Sequence, residues 1–135
     1  MLNYKNIGSI CELDSLSKSG SDIYLLIGSH FMDKIDIFSN ITTDFFIGVK
    51  WIFFYAEKAS QLEDIFDGFI ERHDLLDIVT SSYGIDEKTE LVNLFLSKIT
   101  PTAMGVSILD EKNAAENELL HEILKAINNK NGDKI

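Results

Sequence analysis

The sequence predicts an α/β domain, with three layers (α/β/α) around a mostly parallel sheet of about four strands. Three observations carry that expectation. Short apolar runs alternate with amphipathic stretches along the chain, the pattern of a parallel sheet covered by helices. The stretch from Lys50 to Ser81 reads as strand, helix, strand within about 30 residues, the length of one βαβ unit with a right-handed crossover. A chain of 135 residues, 45% hydrophobic, is sized for one domain over residues 1–135.

The elements follow in order. Residues 1–21 form an N-terminal segment. Ser9-Ile10-Cys11-Glu12 could cap a short helix through Leu16, and Ser15 to Ser21 reads as a flexible link. Ile23 to Ile27 is a short buried strand, ended by Gly28-Ser29. Residues 30–47 read as a helix through Phe31, Ile35, Phe38, Phe45 and Phe46, although Ile41-Thr42-Thr43 is β-branched and opposes it. Trp51 to Ala56 is an aromatic-rich run too short for a helix, hence a strand buried on both faces. Glu57-Lys58-Ala59 is a turn, and Ser60-Gln61-Leu62-Glu63 fits a capping box. The next helix carries one apolar stripe, Leu62, Ile65, Phe66, Phe69 and Ile70. Leu75 to Thr80 reads as a strand and Ser81 to Gly84 as a loop. Asp86 can cap a helix with Leu91, Leu94, Phe95 and Ile99 on one side, and Pro101 stops it. Ala103 to Leu109 is a strand. Asn113 followed by Glu116 repeats the box pattern before a last helix bearing Leu119, Leu120, Ile123, Leu124 and Ile127.

Composition excludes several classes. The net charge of −10 disfavours direct contact with nucleic acid and with anionic membranes. Phe45 to Ala56, the longest apolar tract, is broken by Lys50 and falls short of the roughly 20 residues that span a membrane. The N-terminus lacks the apolar segment of a signal peptide, and Cys11, the single cysteine, suits a reducing compartment. A cytoplasmic location is the expectation.

Catalytic signals are sparse. Ligands of open parallel sheets bind beyond the carboxyl ends of the strands, which places His30, Glu57, Ser82 and Asp110 around a candidate crevice. Polar strand-end loops are equally ordinary in such folds. No G-x-G-x-x-G or Walker pattern follows the first strand, so no nucleotide cofactor is expected. His30, His73 and His121 lie far apart, without the i, i+4 spacing of a helical metal site, so no metal is expected either.

The acids are the stronger signal. Glu57, Glu63, Asp64, Asp67, Glu71, Asp74 and Asp77 face only Lys58 and Arg72 in that segment, an excess of five negative charges. Asp64, Asp67 and Glu71 are spaced 3 and 4 and share a helix face, where like charges repel. The functional reading is a docking face for a basic protein; the plain reading is a solvated helix side. Tyr55 and Tyr83 follow strands and are candidate interface anchors. Leu120, Ile123, Leu124 and Ile127 could pair two copies of the chain, or pack on its own sheet.

In size, charge and lack of catalytic motifs, the chain resembles the small acidic immunity proteins that neutralise bacterial toxins. That resemblance rests on the acids from Glu57 to Asp77 and implies no residue-by-residue roles. The expectation is therefore a non-enzymatic inhibitor that occludes a basic toxin such as a nuclease, with Asp64, Asp67, Glu71, Asp74, Tyr83 and Tyr55 as its contact residues. The alternatives are a small-molecule binder or enzyme at the His30 crevice, and a self-associating regulatory subunit.

Overall fold

The computed structural model describes residues 3–7, 12, 16, 20–28, 46–72 and 77–132. Its elements are β1 (Tyr4–Asn6), β2 (Asp22–Gly28), β3 (Val49–Tyr55), α1 (Ala59–Arg72), β4 (Val79–Tyr83), a 3-10 turn (Ile85–Glu87), α2 (Lys88–Lys98), β5 (Ala103–Ile108) and α3 (Ala114–Gly132). The strands form one sheet in the order β1-β5-β2-β3-β4, and every neighbouring pair is parallel. The chain steps outward from β2 to β3 to β4, then crosses back to place β5 on the other side of β2.

Alternation along the central strands divides the core. Ile23, Leu25 and Ile27 of β2 join Ile52 and Phe54 of β3 in a cluster with Leu62, Phe66 and Phe69 of α1. Leu26 and Phe53, pointing the other way, join Leu91 and Phe95 of α2 and Leu119, Ile123 and Ile127 of α3. Helices thus pack against both faces of the sheet, and β2 and β3 read as near-continuous apolar runs because both their faces are covered.

Several sequence expectations change. The sheet has five strands rather than about four, and the additional one, β1, comes from the N-terminal segment. Backbone pairing with β5 is reinforced by side chains. The Tyr4 hydroxyl bonds Ser107 Oγ at 2.5 Å, Ser107 Oγ donates to Asn6 Oδ1 at 2.6 Å, and Asn6 Oδ1 also accepts from the Leu109 N–H at 3.1 Å. The fourth strand spans Val79–Tyr83, so Ser81 to Tyr83 are strand and not loop. Helix α1 begins at Ala59, and the Lys58 carbonyl accepts its first bonds, so Ser60 is inside the helix and is not its cap. Asp86 lies within the 3-10 turn, and α2 opens from Glu87 without a side-chain cap. The last helix is capped as expected, with Asn113 Oδ1 accepting from the Glu116 N–H at 3.1 Å. Ile65 and Leu124, assigned to apolar stripes, are exposed at 36% and 43%. The short helix through Leu16 and the helix at 30–47 fall largely outside the described residues. At the latter's end, Phe46 is buried and Gly48 turns the chain into β3 at φ 87°, a region open mainly to glycine.

The β1 network sets an alkaline limit on stability. Burial pushes the Tyr4 hydroxyl up to about 12, and the Ser107 hydrogen bond only partly offsets this. The unfolded tyrosine ionises near pH 10, so the contribution is whole below that pH and is lost as pH rises from about 10 to 12. We expect Tyr4→Phe to unfold less steeply across that window than the native chain. Alkaline denaturation followed by circular dichroism checks this, and parallel curves for the two proteins would contradict it.

Candidate functional site

The acidic strip and the outer edge of the sheet form one surface. Leu62, Phe66, Phe69 and Ile70 are buried, with the Phe66 ring 4.9 Å from Phe54 and 6.3 Å from Phe46. Burying that side of α1 turns Asp64, Asp67 and Glu71 outward, and all three are exposed. A single contact fixes where they face: the Thr80 hydroxyl on β4 donates to Asp67 Oδ1 at 2.8 Å. Asp64 and Glu71, three residues before Asp67 and four after it, lie on the same side one turn either way. The strip therefore runs along β4, the last strand of the sheet. Among the described residues no Lys or Arg lies within ion-pair distance of Asp64, Asp67 or Glu71.

Among the described residues, strand β4 has no neighbour on its far side. The Ala56 N–H donates to the Tyr83 carbonyl at 3.3 Å, so the backbone polar groups of Tyr83, and by alternation those of Ser81 and Val79, point toward β3. Those of Thr80 and Ser82 point away from the sheet. Val79 is 48% exposed and the rest of β4 is half-buried, unlike the covered strands β2 and β3. The outward row ends at Gly84, whose N–H is taken by Glu87 Oε1 at 2.9 Å.

The tyrosines separate. Tyr83 is half-buried on this edge and stacks on Phe53 at 6.3 Å. Tyr55 is only 1% exposed, and its hydroxyl donates to the Ile85 carbonyl at 3.3 Å, so it is a core residue and not a surface anchor. Burial first, then the charges of Glu118, Asp86 and Glu116, hold its hydroxyl above the usual tyrosine range. Asp74 lies outside the described residues.

Three of the four members of the expected crevice are described. Glu57 is exposed beyond β3, Ser82 belongs to β4, and His30 lies outside the described residues. The strand order reverses between β2 and β5, which is where a ligand of an open parallel sheet would enter. There the side chain of Glu116, 1% exposed, lies against Gly28 and accepts from the Asp110 N–H at 3.0 Å. Asp110 Oδ1 in turn accepts from the Lys112 N–H at 2.9 Å. A Cβ at residue 28 would run into Glu116 Oε1 and come within 2.5 Å of its Cδ. Glu116 is the residue that sequence reading missed at this point; its place in the capping pattern was visible, its burial over β2 was not. Gly28→Ala should cost about 1–3 kcal/mol through this overlap. Chemical denaturation of that variant, and of Gly28→Ala combined with Glu116→Ala, measures it. A double variant no better than additive would show that the carboxylate is not what the methyl meets.

The described residues contain no group of three or more His, Cys, Asp or Glu placed to hold a metal ion. None of their helices is long and apolar enough to cross a membrane. The self-pairing stripe of α3 is mostly spent in the core, since Leu120, Ile123 and Ile127 are buried. No protein-family model, curated protein or solved structure matches the chain.

Proposed function

We propose that the chain is a non-catalytic cytoplasmic binding protein of the immunity type, which occludes a basic protein toxin through the outer side of α1 and β4. The observation that supports this reading is the line Asp64, Asp67 and Glu71, exposed, without an ion-pairing Lys or Arg among the described residues and located beside β4 by the Asp67–Thr80 bond. Like charges at helical spacing cost the helix a few tenths of a kcal/mol each. A cationic partner turns that cost into attraction and steers its own approach. Inhibition then needs no chemistry from this chain: a bound domain covers the toxin's basic substrate-binding surface, and Tyr83 adds a half-exposed ring beside the contact.

Passing extract of the source cells over the tagged protein, with washes at low and then high salt, tests the reading. The expected result is one basic protein, retained at low salt and released at high salt. Recovery of a small metabolite and no protein would shift the assignment to ligand binding.

A further inference from the structure

We infer that β4 is a docking edge, to which the partner adds an extended basic strand as a sixth member of the sheet. The inference rests on the proposed function and specifies its mode of contact. Thr80 and Ser82 direct two N–H and two C=O groups away from β3, and no strand among the described residues takes them. A row of that kind is a template for another chain unless it is covered or blunted. The usual blunting devices are missing from it: Val79-Thr80-Ser81-Ser82-Tyr83 contains no lysine, no proline and no inward charge.

Charge and side-chain alternation select the occupant. A strand laid against β4 places alternate residues on the α1 side, where Asp64, Asp67 and Glu71 run parallel to it. The intervening residues fall on the opposite side, beside exposed Val79. Lysine or arginine at every second position, with apolar residues between, satisfies both sides. A second copy of this chain does not satisfy the α1 side, because two edges joined about an axis normal to the sheet bring two acidic strips together.

The probe is a short synthetic peptide alternating lysine and valine. Its control is the same peptide N-methylated at every residue, which keeps charge and side chains but leaves no N–H on either edge to complete a ladder. Amide exchange by NMR is expected to slow at Thr80 and Ser82 on adding the first peptide, and its affinity to exceed that of the methylated control by at least tenfold. Ser82→Pro, which removes an outward N–H, is expected to lose the same factor. Equal binding of both peptides, abolished when Asp64, Asp67 and Glu71 become lysine, would overturn strand addition while leaving the acidic docking face intact. Preferential binding of the unmethylated peptide that survives that charge reversal would retain the edge and remove the acidic strip from the proposed function. Binding by neither peptide overturns the inference, as does a concentration-dependent dimer of the native chain that Ser82→Pro dissolves.

Discussion

Replacing Asp64, Asp67 and Glu71 together by lysine is expected to weaken binding of the basic partner by about a hundredfold or more. Exposed ion pairs are worth less than about 1 kcal/mol each, but reversal also puts repulsion where attraction stood. The loss should fall mainly on the association rate, because exposed charges steer encounter more than they hold the complex. The fold should survive. All three side chains are exposed, and three lysines at the same spacing repel about as three acids do. Among the described residues, the one structural contact removed is the Asp67–Thr80 bond, which is itself exposed. Surface plasmon resonance with the captured partner reads the rates, and thermal melting reads the fold. Unchanged affinity in a folded triple variant would place the docking face elsewhere.

The second large effect is on stability. Phe53→Ala is expected to cost about 3–5 kcal/mol, a substantial part of what a domain of this size holds. Phe53 is fully buried at the centre of β3. Its ring stacks on Trp51 at 5.2 Å and 4°, meets Phe95 edge-on at 5.6 Å and lies against Tyr83 at 6.3 Å. Those three partners belong to β3, α2 and β4, so truncation leaves a cavity that no single element can close. Trp51 also donates its indole N–H to Ser81 Oγ at 2.9 Å and lies 5.0 Å under Lys98 Nζ. It is the only tryptophan, so its fluorescence reports directly on this region. Urea denaturation read by that fluorescence gives the magnitude. A loss below about 1 kcal/mol would mean that the α2 side of the sheet repacks more freely than its ring contacts imply.

What the sequence revealed divides along physical lines. The alternating elements were legible because β2, β3 and β5 are covered on both faces, so their residues form short apolar runs with no competing helical period. Strand β1 was not, because Tyr4-Lys5-Asn6 has no apolar pattern and is held by bonds to Ser107 and Leu109, about a hundred residues away. Strand β4 was read as ending where it in fact continues. Its Thr80, Ser81 and Ser82 look like loop residues, yet an edge strand need not be apolar, and two of these hydroxyls meet Asp67 and Trp51. The acidic strip was legible from spacing alone, but its position beside an open edge depends on strand order, which periodicity does not encode. Tyr55 was misplaced for a related reason. The end of a strand suggests exposure, whereas the 3-10 turn after β4 brings the Ile85 carbonyl to its hydroxyl. Glu116 meets Gly28 only because β5 lies beside β2, and a linear reading cannot supply that adjacency.

The association rate of the captured basic partner with the native chain and with the lysine-reversed variant, measured from low to high salt, tests the central claim most directly. The account predicts a native rate that falls by at least tenfold as salt screens the strip, and a slow, nearly salt-independent rate for the variant. Two proteins with the same rate and the same salt dependence would contradict it, and would leave Asp64, Asp67 and Glu71 as an ordinary solvated helix face.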